Sequence, residues 1–102
     1  MAVHLYGVLD AGALPAPATR GLDGCPVRTL MVDARCVWVS DVAESTLVAT
    51  AQRILTHDAV LRGAIDRGNS VVPSLFGRLH ANDAALIGAL QANQAAIESA
   101  MT

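Results

Sequence analysis

The stretch from Thr46 to Leu79 constrains the fold more than any other part of this sequence. Apolar residues recur in Thr46–Arg67 at the spacing of one helical face: Leu47, Ala51, Ile54, Leu61 and Ile65. Gly68-Asn69 indicates the helix end, because both residues tolerate the left-handed backbone conformation. Ser70–Leu79 then predicts a strand interrupted by a proline and a glycine. A helix of about six turns cannot bury its stripe alone, so this unit needs a sheet.

The residues that precede this unit predict the sheet. Ala2–Leu9 has the pattern of a first strand, Pro26–Asp33 of a second and Arg35–Ser40 of a third. The short gap at Ala34 predicts a tight antiparallel hairpin between the last two. Alternation in the first strand assigns its side chains to two faces: Val3, Leu5, Gly7 and Leu9 to one, and His4, Tyr6 and Val8 to the other.

Capping residues predict where two helices begin. Ser45 or Thr46 can cap the long helix, since a side-chain oxygen accepts an unpaired backbone N–H there. Asn82 or Asp83 can cap a second helix near the end of the chain. The apolar stripe of that second helix comprises Leu86, Leu90 and Ile97.

This order of elements predicts an α+β fold in one domain, residues 1–102. We expect an antiparallel four-stranded sheet with two helices on one face, a ferredoxin-like sandwich in the order βββαβα. Both sheet faces would be apolar, because Val37 and Val39 alternate with Cys36 and Trp38. Two helices on one face leave the other face open. That face is expected to meet a partner, a ligand or a second copy of the chain.

Composition and charge exclude several classes of function. An apolar fraction of 53% with 16% charged residues predicts a folded domain. The net charge is −2 and the seven basic residues, all arginine, are scattered, which argues against nucleic-acid and membrane-surface partners. No apolar run reaches the roughly 18 residues of a membrane span, and no signal-peptide pattern is present. A cytoplasmic protein is therefore expected.

Cys25 and Cys36 lack the spacing of a metal site. Reduced thiols are the expected state, and a disulfide between a loop and a strand is the alternative. No two histidines are spaced to bind a metal together on one helix. His80 and Asp83 have such a spacing, but Asp83 is better explained as a helix cap. No metal and no cofactor are expected.

A few polar and aromatic residues are candidates for a site. His57, beside Asp58, is either a general base or a half-buried side chain that holds the helix to a strand by a hydrogen bond. Adjacent helical residues point in different directions, so Asp58 is poorly placed to orient His57, and we prefer the second interpretation. The candidate binding residues are His4, Tyr6, Arg28, Trp38, Pro73 and Phe76. Tyr6 and His57 would be catalytic only in the alternative, enzymatic interpretation.

Three patches of this sequence match the pattern of a known family: His4–Val8 with Asp10, Thr56–Leu61 and Val71–Gly77. Together they resemble the gas vesicle accessory proteins of the GvpF/GvpL family. His4–Val8 with Asp10 is similar to the family's opening "YLYGIVDA" strand, and Thr56–Leu61 to its "HExVL" helix segment. Val71–Gly77 (VVPSLFG) is similar to its "VLPLRFG" strand. In addition to these three patches, Ser40–Val42 looks like part of its "VSDV" segment. The resemblance covers the N-terminal part of the family, whose members usually continue into a second α/β domain.

The resemblance implies a non-enzymatic role in gas vesicle assembly. The implied partners are the small, aggregation-prone shell protein or other gas vesicle accessory proteins, held by the open sheet face. The implied location is cytoplasmic and associated with gas vesicles, and a homo-oligomer, most simply a homodimer, is expected. The alternative is a homodimeric enzyme or small-molecule binder with a pocket lined by His4, Tyr6, Arg28 and Trp38. A regulatory module without a ligand is a third interpretation.

Overall fold

The first strand lies inside an antiparallel sheet and is buried along its whole length. The structure is a computed structural model that describes residues 2–10, 12–13, 20–43, 50–74 and 78–101. Its strands are β1 (Ala2–Leu9), β2 (Arg28–Val32), β3 (Arg35–Val42), β4 (Val71–Pro73) and β5 (Leu79–His80). Its helices are α1 (Ala51–Asp66), α2 (Asp83–Ala92) and α3 (Gln94–Met101), with a short 3-10 helix at Leu22–Gly24.

The sheet has the order β2-β3-β1-β4, and β5 also pairs with β1. All these pairings are antiparallel. The α+β class with an antiparallel sheet is therefore confirmed. The single fourth strand predicted for Ser70–Leu79 is instead two short strands, β4 and β5, that pair with different parts of β1. Pro73 ends the first of them, as expected for a residue that cannot donate to the ladder.

The hairpin between β2 and β3 forms as predicted. Asp33 and Ala34 both have positive φ, 47° and 65°. Positive φ at both central residues is typical of the type I′ turn, whose twist matches that of the flanking strands. The strand bounds differ by about two residues from those predicted: β2 begins at Arg28, and β3 continues to Val42.

Strand β1 has a bulge that the alternation pattern does not predict. Leu5 pairs with Val39 and Gly7 pairs with Trp38, so Tyr6 is an extra residue. Beyond the bulge the two faces exchange places. Val8 therefore joins the core cluster of Leu5, and Leu9 joins that of Tyr6. The predicted faces of Val8 and Leu9 are wrong for this reason.

The helices cover both faces of the sheet, which corrects the prediction that two helices lie on one face. On one face, α1 packs on the cluster that includes Tyr6, Leu9 and Trp38. On the other, α2 and α3 pack on the valine-rich cluster of β1 and β3 through Leu86, Leu90 and Ile97. The physical reason is that both faces of β1 and β3 are apolar, so each face requires a cover. The second face is not open along its length.

The helix ends agree partly with the predicted signals. Gly68, at φ 83°, follows the end of α1, and Asn69 N–H returns to the Ala64 carbonyl. The start of α1 is later than predicted: Thr50 is extended, and its side chain caps the helix through Arg53 N–H. Asn82 caps α2 as predicted. The predicted caps Ser45 and Thr46 lie outside the described residues, and the single C-terminal helix is two helices separated at Asn93.

Replacing Ala34 by glycine is expected to raise the free energy of unfolding by about 0.5–1 kcal/mol. Glycine removes the cost of the left-handed conformation, which exceeds the entropy that it adds to the unfolded chain. Urea unfolding followed by the fluorescence of the single tryptophan, buried Trp38, measures the change. Ala59→Gly, at an exposed position of α1, is the control and is expected to lower the same quantity by about 1 kcal/mol. Destabilisation by Ala34→Gly would contradict the turn assignment.

Candidate functional site

Three of the candidate residues meet in a buried polar cluster between β1 and α1. His4, Tyr6 and His57 are 0%, 0% and 2% exposed. The ring centroids of His4 and Tyr6 are 4.7 Å apart, and those of Tyr6 and His57 are 5.5 Å apart. The sequence therefore places His4 and Tyr6 correctly on one face of β1. The expectation that this face is uncovered is wrong, because α1 packs over it.

Hydrogen bonds fix the proton on one ring nitrogen of His57. His57 Nε2 lies 2.7 Å from the carbonyl oxygen of Ser74, and His4 Nε2 lies 2.9 Å from His57 Nδ1. A carbonyl only accepts, so His57 Nε2 carries the proton. In neutral His57 the Nδ1 atom is then an acceptor, and His4 Nε2–H donates to it. The chain of donors runs from β1 through α1 to the residue after β4.

Burial and charge repulsion favour the neutral form of His4. The pKa of His4 falls from 6.5 to about 4, chiefly because burial removes the solvation of the imidazolium ion and secondly because His57 lies beside it. A neutral His4 agrees with the tautomers that the hydrogen bonds require. His4 is therefore a neutral, hydrogen-bonded part of the core at neutral pH.

Tyr6 forms a second branch of the cluster. Its hydroxyl accepts from Leu22 N–H and donates to Ser40 Oγ, both at 2.9 Å. Ser40 Oγ in turn donates to the carbonyl of Pro26 at 2.8 Å. Burial raises the pKa of Tyr6, so its phenol stays protonated. A side chain at Gly21 would overlap the Tyr6 hydroxyl, so glycine is needed for this close approach.

These hydrogen bonds connect α1 and residues 20–26 to the sheet. They do not present His57 to solvent as a base. Both ring nitrogens of His57 are engaged inside the core, and Asp58 is exposed on α1. Trp38 is also in the core, 1% exposed. Its Nε1–H donates to the carbonyl of Ala13, and the Arg67 guanidinium lies 5.3 Å from the centroid of its ring.

Arg28 lies at the opposite face and is held between two carboxylates. It donates to both carboxylate oxygens of Asp41 and to both of Asp83, over distances of 2.7–3.1 Å. Donation to Asp41 and Asp83 raises the pKa of Arg28, and acceptance of hydrogen bonds from Arg28 lowers the pKa of Asp41. Because Asp83 is the first residue of α2, this pair fixes that helix end to β2 and β3. The predicted role of Arg28 as an anion ligand thus competes with two internal carboxylates.

Among the described candidate binding residues, Pro73 is exposed and Arg28 is partly exposed. Pro73 lines two grooves, one on each side of β4. Phe76 lies outside the described residues. The first groove, about 330 Å³, separates β4 from the α2–α3 junction, and we call it the sheet groove. Its mostly apolar floor includes Leu5, Val72 and Ile97.

The sequence could not reveal the sheet groove, because its lining comes from distant segments. Arg78 and Asn93 lie at its polar positions, and neither stands out by composition or spacing. Asn93, at the break between α2 and α3, lines the groove. The prediction of a single C-terminal helix does not include this break. The only local signal is the short β4, which follows from Pro73.

Other expectations concern metals, thiols and membranes. Within the described ranges, no group of three His, Cys, Asp or Glu side chains is arranged to hold a metal ion. Cys25 and Cys36 are free thiols. In the same part of the chain, no helix is long and apolar enough to cross a membrane.

The buried cluster predicts that acid destabilises the fold. Since the pKa of His4 is about 4 in the folded state and near 6.5 when unfolded, the unfolded chain binds the proton more readily. The stabilisation is complete above pH 6.5 and is lost as the pH falls towards 4. Between pH 7 and pH 5 the loss attributable to His4 is about 2 kcal/mol.

Urea unfolding of the wild type and of His4→Gln at both pH values tests this. The variant is expected to be less stable at pH 7 but to lose less stability between pH 7 and pH 5. His80→Gln, at a half-buried residue of β5, is the control and should keep the wild-type slope. Equal slopes for the wild type and His4→Gln would contradict the assignment.

Comparison with known proteins identifies the family. A family model described as gas vesicle synthesis protein GvpL/GvpF matches residues 2–102. The crystal structure of the gas vesicle protein GvpF from Anabaena sp. PCC7120 has a TM-score of 0.81 and 25% sequence identity. That of GvpF from Microcystis aeruginosa has a TM-score of 0.77 and 19% identity, and shows likeness of fold alone.

Both comparisons cover 96% of this chain and 41% of the GvpF chain, so this chain spans less than half of the length of either structure. No curated protein matches the chain. The family match extends through every strand and helix described above. The chain belongs to the GvpL/GvpF family of gas vesicle synthesis proteins.

Proposed function

We propose that this chain acts in gas vesicle assembly by binding a gas vesicle shell protein. The observation that carries the proposal is the family match over residues 2–102, together with the fold shared with GvpF. The buried position of His4, Tyr6 and Trp38 favours this role over the alternative of a small-molecule pocket lined by these residues. Their side chains form core contacts that hold the interaction surface in shape.

The sheet groove is the surface that we propose for the shell protein. It lies on the sheet face opposite α1, at the place where α2 and α3 leave part of β1 and β4 uncovered. Its apolar floor suits the apolar face of a helix, because such a groove takes side chains spaced at one helical turn. Arg78 and Asn93 beside it can bond polar groups of the same segment.

The proposed interface also explains why a small accessory chain would help an apolar shell protein. A shell protein that self-associates must be kept from doing so before assembly, and a groove that buries part of its apolar surface lowers that tendency. Pro73 is at the edge of the groove and was among the candidate binding residues. We propose Pro73 as a contact residue. Arg28 is not proposed as one, because its guanidinium already binds Asp41 and Asp83.

Ile97→Glu is expected to weaken capture of the shell protein by about tenfold or more. The half-buried Ile97 lines the groove, and a carboxylate there would lose solvation when the apolar segment binds. Co-expression of the tagged chain with a shell protein, followed by affinity purification, measures the captured amount. Trp38 fluorescence and circular dichroism confirm that the variant is folded.

Met31→Glu is the matched control. Met31 is 58% exposed on β2, the strand at the other edge of the sheet, so it introduces the same charge away from the groove. Its capture of the shell protein should equal that of the wild type. Equal capture by folded Ile97→Glu would contradict the proposed surface, and absence of capture by the wild type would contradict the proposed partner.

A further inference from the structure

The outward side of α1 carries an apolar stripe that no part of the described chain covers. Four large hydrophobic side chains are exposed among the described residues, and three of them lie on α1. Leu55 is 67% exposed, Ile65 is 49% and Ile54 is 41%. We call Ile54, Leu55, Asp58, Arg62 and Ile65 the α1 stripe. A helix that has buried one face on its own sheet and keeps a second apolar stripe in water is typical of an interaction surface.

The α1 stripe borders a groove that extends from α1 to the edge of the sheet. Leu55, Asp58, Arg62 and Ile65 line this groove, of about 370 Å³, together with Pro73 of the edge strand β4. The groove lies across β4 from the sheet groove, and α1 and the α2–α3 pair occupy opposite sheet faces. A partner on the α1 stripe would therefore leave most of the other surface accessible.

The charges in the stripe are arranged to complement a second copy of themselves. Asp58 and Arg62 are exposed in the middle of the stripe, and neither forms an ion pair with another described residue. Leu55 and Ile65 lie at the two ends, about 15 Å apart along the helix axis. The order along the chain is thus apolar, acidic, basic, apolar.

We propose that two copies of this chain associate through antiparallel α1 helices. A two-fold axis midway between residues 58 and 62 makes each residue face the one at the mirrored position. Asp58 of one copy then faces Arg62 of the other, and Leu55 faces Ile65, each contact occurring twice. A two-fold interface must be self-complementary in this way. In a parallel arrangement at the same level, Asp58 would face Asp58, and like charges would oppose association.

The association does not depend on the proposed shell protein. It needs only the α1 stripe, whereas the shell protein is proposed to use the sheet groove. Leu55→Glu therefore tests the pairing of two copies without altering the sheet groove. Ile97→Glu alters the sheet groove and leaves the α1 stripe unchanged. Failure of one proposal is distinguishable from failure of the other.

Sedimentation equilibrium at a series of concentrations tests the pairing. The wild type is expected to reach a monomer–dimer equilibrium, and Leu55→Glu is expected to be monomeric. Asp58→Arg and Arg62→Asp are each expected to weaken association by about tenfold or more, because each places like charges opposite one another. Glu98→Arg on α3 makes the same change in charge away from the stripe and should leave the equilibrium unchanged.

Mixing the two charge variants distinguishes the antiparallel α1 pairing from nonspecific association. Asp58→Arg chains carry two cations in the stripe and Arg62→Asp chains carry two anions, so a mixed pair restores both opposite-charge contacts. Native mass spectrometry of the mixture is expected to show heterodimers in excess of either homodimer. A wild type that stays monomeric, a Leu55→Glu variant that still dimerises, or a mixture without heterodimers would each overturn the proposal.

Discussion

The structure depends on the burial of β1 on both of its faces. All eight residues of this strand are buried, and three other strands pair with it. A strand of this kind needs an apolar layer above and below, because neither of its faces can be left in water without loss of hydrophobic free energy. The chain supplies α1 for one face and α2 with α3 for the other. The face opposite α1 is thus mainly part of the core, and a groove beside β4 is left uncovered on it.

The polar residues under α1 follow from the same constraint. His4 and Tyr6 face inwards from β1, so each must be neutral and hydrogen-bonded to avoid the cost of a buried unpaired group. His4 Nε2 forms a hydrogen bond with His57 Nδ1, and His57 Nε2 donates to the Ser74 carbonyl. The result is a chain of hydrogen bonds from β1 through α1 to Ser74, the residue after β4. His57 forms hydrogen bonds through both ring nitrogens, and it is buried away from solvent.

Two separate surfaces emerge from this arrangement, and each is associated with one layer of helix. The α1 stripe lies on the outer side of the helix whose inner side covers the cluster around Tyr6. The sheet groove lies beside the helices that cover the valine-rich face. Pro73 borders both grooves because β4 is a short strand at the sheet edge. A family member that pairs with itself on one side and holds a shell protein on the other would bring two shell protein molecules near each other.

Local signals predicted much of the secondary structure, because they act between residues close in the chain. The bounds of β1, the turn at Asp33-Ala34 and the Asn82 cap all depend on neighbours within a few residues. The position of the site did not follow from such signals. His4 and His57 are 53 residues apart in the chain, and Arg28 and Asp83 are 55 apart.

The sequence by itself determined the fold class, the hairpin, the end of α1 and the family, since each rests on local pattern or on motif similarity. Only the tertiary structure decided which sheet face each helix covers. It also decided the bulge at Tyr6, which moves Val8 and Leu9 to opposite faces from those that simple alternation predicts. The physical reason is that an apolar stripe indicates that a surface is buried but carries no information about which of two apolar sheet faces will bury it.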